Sequence, residues 1–305
     1  MNETHNTKRS LYSHIPVMSK EAVELLNPKA GEVIIDGTLG LGGHAKEILK
    51  RIIPSGTLIG IDADGKSLEA AKENLKMYTE QCFFINDNFR NLGKALDSLG
   101  IKKVNAVLLD IGISSFQLDD ESRGFSFKAQ GPLDMRLDTK GPISAFDLVN
   151  SLSEAELSKI FKEYGEEIWH KRIAGNIVSA RKNNPIKTTW ELREIIIRSV
   201  PRSKRGRKID PATQSFQALR IAVNRELESL SLALDAAFDR LQPNGRLVVI
   251  SFHSLEDRIV KNMFREMEKQ SLAKVLTKKP LRPGEVEIEV NHRSRSARLR
   301  ALERL

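Results

Sequence analysis

Val33-Ile34-Ile35-Asp36-Gly37-Thr38-Leu39-Gly40-Leu41-Gly42-Gly43-His44 is the stretch around which this chain is organised. Val33, Ile34 and Ile35 are consecutive apolar residues without helical spacing, the pattern of a short buried strand. Asp36 ends the run, and four glycines follow it, so the backbone can turn tightly and approach a ligand without a Cβ in the way. From His44 to Leu49 a helical pattern takes over, which Pro54 and Gly56 end. Strand, glycine turn and helix in that order open a nucleotide-binding α/β sheet.

Two ligand classes fit such a turn. Gly40-Leu41-Gly42-Gly43-His44-Ala45 satisfies G-x-G-x-x-G/A, and Asp62 stands near the distance expected of a ribose-binding carboxylate, which suits NAD. S-adenosylmethionine presents the same adenosine without a phosphate. Charge separates the two. Asp36 at the mouth of the turn repels a pyrophosphate and attracts the sulfonium and ammonium groups of S-adenosylmethionine, which is therefore the expected cofactor.

The series of strands continues downstream. Thr57 to Asp62 is apolar and ends in an acid, and Cys82 to Asn86 leads into Asp87-Asn88-Phe89, a polar pair and an aromatic suited to the edge and face of adenine. Val104 to Asp110 again ends in an acid. Asp36, Asp62 and Asp110 thus close three strands whose ends converge in a doubly wound sheet. Leu118 to Lys140 is a long, turn-rich loop, a length that in a compact domain points to function, and its Arg136 is assigned to substrate.

Capping boxes at Ser153–Glu156 and Thr188–Glu191 open helices, and Phe216 to Leu241 reads as one long helix. Arg246 to Ser251 returns to the strand period. The expected layout is a discontinuous core, 1–114 and 217–305, interrupted by a mostly helical insertion, 115–216, that recognises RNA. Ser19 and Ser254 are the expected caps of their helices, and His253, at a strand end, faces the crevice.

A net charge of +9 calls for an acidic partner. The run Lys204, Arg205, Arg207, Lys208 and the basic tail with Arg293, Arg295 and Arg298 are assigned to phosphates. The polar start, Met1 to Ser10, and the lack of a membrane-length apolar run suggest a cytoplasmic protein. With one cysteine, Cys82, and no second histidine beside His253, no metal is expected.

Together these stretches resemble the bacterial small-subunit ribosomal RNA cytosine-N4 methyltransferases, the MraW family. The resemblance rests on His14-Ile15-Pro16-Val17, Asp36 to His44, Asp110 to Ser115, Arg123 to Ser126, Gly131 to Arg136, Ser251 to Asp257 and Asn291 to Arg300. It implies a Rossmann-like class I S-adenosylmethionine-dependent methyltransferase core with a helical insertion. It implies that Gly42, Gly43, His44, Asp62, Phe89, Asp110 and Gln117 hold the cofactor beside Asp36, and that the target is a decoding-centre cytidine of 16S rRNA within the small ribosomal subunit. Asp110 and Ser114 are the expected catalytic pair. Phe116 departs from the proline usual after the serine pair, and Gln214-Ser215 stands where a basic residue and a hydroxyl are common. An NAD-dependent oxidoreductase and a non-catalytic ribosome-associated RNA-binding protein are the alternatives.

Overall fold

A computed structural model describes residues 16–113, 117–118, 120–128, 130–204 and 210–305. The chain divides into two units, Met1–Gly112 with Glu228–Leu305, and Ile113–Leu227. In the first, the apolar runs become the strands β1 (Val33–Asp36), β2 (Thr57–Asp62), β3 (Cys82–Asn86), β4 (Val104–Ile111), β5 (Leu241–Ser251), β6 (Ala273–Val275) and β7 (Arg298–Arg304). They form one sheet in the order β3-β2-β1-β4-β5-β7-β6. The first five are parallel, and β7 runs antiparallel to β5 and β6.

Parallel strands are covered on both faces, which explains why they read as continuous apolar runs rather than alternating ones. Ile34, Leu58 and Leu108 pack on one face with Ala45, Ile48 and Leu49 of the helix Gly43–Ile52. Ile35, Ile59, Val107 and Leu109 pack on the other with Leu230, Leu234 and Phe264. Each fully buried leucine or isoleucine contributes about 2 kcal/mol relative to exposure. Parallel register then brings the carboxyl ends of β1, β2 and β4, and with them Asp36, Asp62 and Asp110, to the same edge. The chain adds strands outward from β1 to β3, then returns to place β4 on the other side of β1. That reversal makes the β1–β4 junction a switch point, where open α/β sheets bind ligands.

Part of the basic tail is sheet. Leu299, Ala301 and Leu302 of β7 are buried, and Arg300 is buried with them because its Nε donates to Asp257 at 2.7 Å. Arg298 stands 3.8 Å from the same carboxylate, so its charge is directed inward rather than held for phosphate. The helix caps also differ from expectation. Met18, at φ +49°, precedes the helix Ser19–Leu26 and donates its N–H to Glu287 at 2.7 Å. His253, not Ser254, caps Ser254–Lys269 in a capping box with Glu256.

The second unit is helical around Leu157, Phe161, Ile173, Ile177, Leu192, Ile196, Phe216 and Leu219. Both expected capping boxes are present, opening Glu154–Gly165 and Thr189–Ser199. The turn-rich loop is folded into this core through Phe125, Leu133 and Met135. Within it, buried Arg123 donates to the carbonyls of Arg136 and Leu137, both at 2.9 Å.

The expected helix Phe216–Leu241 is two helices, Thr213–Asn224 and Glu226–Arg240, separated by Arg225 at φ +49°. Hydrophobic spacing continues through the break, which is why it was invisible to periodicity. Asn224 explains it: its amide donates to the Met135 and Arg220 carbonyls at 2.8 and 2.9 Å and accepts from the Leu137 N–H at 2.8 Å. The bonds to Met135 and Leu137 tie the loop to the break. No helix among the described residues is long and apolar enough to cross a membrane. Asn224→Ala leaves the Leu137 N–H and Met135 carbonyl without that partner and is expected to cost about 1–3 kcal/mol in urea unfolding. A loss below about 0.5 kcal/mol, the range of an ordinary surface substitution, would deny the side chain this role.

Candidate active site

Asp36 is the last residue of β1 and is 1% exposed. Its Oδ1 accepts from the Thr38 N–H at 3.2 Å, while Oδ2 is buried without a hydrogen-bond partner. On the neighbouring strand, the Asp110 N–H donates to Thr38 Oγ1 at 2.7 Å, and Asp110 Oδ1 is likewise buried and unpartnered. Thr38 therefore links the two strand ends: its backbone holds one acid and its hydroxyl the other. Sequence reading passed over it, although it stands inside the quoted motif.

Burial pushes the Asp36 carboxyl up to about 7, with the Thr38 N–H pulling downward and Asp62 adding to the rise. Burial also pushes Asp110 up to about 8, assisted by the negative charges of Asp36 and Glu256. Glu256, 1% exposed, accepts from the Phe252 and His253 N–H groups at 2.8 and 3.3 Å. It is a second residue whose influence the sequence did not reveal, because a capping role and a buried charge look alike in letters.

Asp62 closes β2 with both oxygens engaged: Oδ2 accepts from the Gly40 N–H at 2.7 Å and Oδ1 from the Asp64 N–H at 2.8 Å. It fastens the glycine turn to β2. Asp64, not Asp62, caps the following helix. The glycines serve the protein as much as a ligand. Gly42 sits at φ +81°, and a Cβ there would meet Leu75 at 3.0 Å; one on Gly43 would meet Pro16 at 3.1 Å. Buried His44, in the first helical turn, has Nε2 at 3.0 Å from the Val17 carbonyl and Nδ1 at 3.8 Å from Asp110 Oδ2. Phe89 is partly buried against the core beside β1 and β2, after Asn88, whose side chain accepts from the Arg90 N–H.

The structure thus brings Asp36, Thr38, His44, Asp62 and Asp110 to one edge. The other expected residues each have their own local setting. His253 caps its helix, with Nδ1 accepting from the Glu256 N–H at 3.4 Å. Arg293 and Arg295 are exposed in the turn His292–Ser296. In the second unit Gln117 is 5% exposed. Arg136 is committed within its own loop, donating to Asp134 at 2.8 and 2.7 Å and to the Gly141 carbonyl at 2.7 Å. Lys204 ends a 3-10 turn, while His14, Ser114, Phe116, Arg205, Arg207 and Lys208 lie outside the described residues.

Two buried carboxylate oxygens without a hydrogen-bond partner are a costly arrangement without a cation. An anionic pyrophosphate worsens it, whereas the ammonium and sulfonium of S-adenosylmethionine relieve it, so the residues present fit that cofactor and not NAD.

Comparison with known proteins agrees. The model of the MraW methylase family matches residues 11–305. "Ribosomal RNA small subunit methyltransferase H" of Geotalea uraniireducens is 48% identical over 96% of this chain and 99% of its own length. Proteins of the same name from Lachnospira eligens and Clostridioides difficile are 46% and 43% identical, each over 96% of this chain and 98% and 99% of their own lengths. A family matched across nearly the whole chain settles the assignment: this chain belongs to the MraW methylase family and is an S-adenosylmethionine-dependent methyltransferase.

Proposed function

We propose that this enzyme methylates the N4 exocyclic amine of a decoding-centre (P-site) cytidine in 16S rRNA, as part of the small ribosomal subunit. The observation that carries the reading is the pair of buried, unpartnered carboxylate oxygens on Asp36 and Asp110 at the switch point. The names of the relatives support rRNA as the substrate class.

Asp36, Gly42, Gly43, His44, Asp62, Phe89 and Gln117 are assigned to the cofactor, with Asp110 between cofactor and base. S-adenosylmethionine supplies a methyl group already activated by positive sulfur. The amine it must reach is a poor nucleophile, because the nitrogen lone pair is delocalised into the ring. The protein's task is therefore to hold that nitrogen in line and to accept the hydrogen bond that strengthens as nitrogen becomes positive. This role is assigned to Asp110, with Ser114 four residues on in the sequence: the Asp110 carboxylate would accept that hydrogen bond and then the proton the amine gives up when it takes the methyl group. The base must leave its stack to reach the crevice, so unpaired RNA is favoured. Arg136, Lys204, Arg205, Arg207, Lys208, His253, Arg293 and Arg295 are assigned to the RNA.

Digestion of methylated rRNA to nucleosides is expected to yield N4-methylcytidine. Methyl on carbon-5 would sink the reading, since that chemistry needs a thiolate. Cys82 opens β3 at the end remote from Asn86, and burial raises its thiol to about 11. Asp110→Asn is expected to lower turnover by about a hundredfold while changing RNA affinity far less.

The raised carboxylates give a second test. In the ligand-free protein their protons favour folding at low pH. That contribution is fully present below the ordinary carboxylate range and is lost as pH rises through about 7 to 8. A cationic ligand reverses the preference and expels protons. S-adenosylmethionine affinity is therefore expected to rise between pH 6 and 8.5, with proton release in calorimetry across buffers of different ionisation enthalpy. S-adenosylhomocysteine, lacking the sulfonium, is expected to show a weaker dependence. Equal pH profiles for the two ligands would remove the acids from the neighbourhood of the sulfur.

A further inference from the structure

In the second unit an aromatic–cation stack runs from core to surface. Phe216 is buried and meets the Phe127 ring edge-on, with centroids 4.8 Å apart and planes at 68°. The guanidinium of Arg193 lies 5.9 Å from the Phe127 centroid and 5.4 Å from that of Trp190. Arg193 is held there by Asp210, which accepts from Nη2 at 2.6 Å and Nε at 3.1 Å, and by Glu194 at 3.3 Å. The outermost layer is Trp190, 46% exposed.

The position of that indole is fixed from below. Trp190 stands in the first turn of the helix Thr189–Ser199, which the Thr188–Glu191 capping box opens. Its neighbour Thr189 is fully buried, donating its N–H to the Gly131 carbonyl at 3.0 Å while its hydroxyl accepts from the Gly131 N–H at 3.1 Å. A large, half-exposed ring held this rigidly loses little freedom when a flat group is laid on it.

We propose that Trp190, backed by Arg193 and Phe127, is a stacking platform for an unpaired base of the RNA substrate. A single-stranded base offers a free π-face of the right size, whereas a duplex hides its faces within the helix. The same segment supplies exposed cations for the adjoining phosphates in Lys187, Arg198 and Arg202. The net charge of +9 favours a polyanion over an acidic or apolar protein surface of mixed charge. This inference rests on the RNA reading above and adds to it one specific contact.

The chain has two tryptophans, so Trp169→Phe leaves Trp190 as the sole reporter. Titration with a short single-stranded oligoribonucleotide is expected to quench its emission, and the same sequence as a duplex is not. Trp190→Leu is expected to weaken single-strand binding about tenfold or more, and Trp190→Phe to retain part of it. S-adenosylmethionine affinity, measured alongside, checks that the variants fold. Unmoved emission together with full affinity in Trp190→Leu overturns the platform while leaving RNA as the substrate. A Trp190→Leu defect confined to assembled subunits, with naked RNA bound normally, also overturns it and makes the surface a protein contact. If the unaltered enzyme binds neither RNA nor subunits, the RNA reading itself fails.

Discussion

Asp36 and Asp110 end adjacent strands, and the strand register leaves neither free to move away from the other's field. Burial is the main reason these carboxyls keep protons that they lose elsewhere, with the charge of Asp62 adding to it at Asp36 and those of Asp36 and Glu256 adding to it at Asp110. The rest of the first unit makes that arrangement possible. Fully buried Ile34, Ile35, Leu108 and Leu109 fix the strands, and Thr38 satisfies one backbone and one side-chain group at the strand ends. The fold gives up stability at neutral pH to hold two buried acids, a cost that a cationic cofactor bound as proposed would offset.

The glycine turn depends on the same edge. Its Gly40 amide is fastened by Asp62, and its remaining glycines admit Leu75 and Pro16 rather than only a ligand. Asp62 is thereby both a candidate ribose acceptor and a structural clasp. A loss of cofactor affinity on removing it would have two physical sources, of which only the hydroxyl contact concerns recognition. Asp62→Asn, which retains one carbonyl acceptor for the turn, separates them better than Asp62→Ala.

Much of this was legible in the letters because the signals are local. A parallel strand shows as a run such as Val107-Leu108-Leu109, and its end as an acid that no buried position tolerates without cause. Both capping boxes, three residues apart, were legible for the same reason. What escaped depends on distant partners. Arg225, in a left-handed conformation, follows Asn224, whose amide finds an acceptor in the Met135 carbonyl of the loop, 89 positions earlier in the chain. Met18 caps a helix with its N–H directed to Glu287. The end of the basic tail Asn291 to Arg300 is the start of β7, and Arg298 looks like a phosphate ligand until Asp257 is seen beside it. The candidate site follows the same division: the three acids show in the letters as strand ends, whereas Thr38, which bonds the Asp36 carboxylate and the Asp110 N–H, and Glu256, whose charge acts on Asp110, do not.

Those internal arginines bear on how RNA is recognised. Arg246 closes on Glu303, Arg220 on Glu226, Arg193 on Asp210, and Arg304 on the carbonyls of Phe238 and Leu241. Each is counted in the net charge of +9, yet each is spent on the fold. The field that attracts a polyanion arises mainly from exposed groups such as Lys187, Arg293 and Arg295. Contacts of that kind are screened by salt and indifferent to sequence. On the proposed function, selection of one nucleotide must then come from groups that read a base itself. The proposed candidates are an acceptor at the β4 end and, in the second unit, the exposed face of Trp190. On that reading the cations set how tightly RNA is held, and the acid and the indole set which nucleotide is presented.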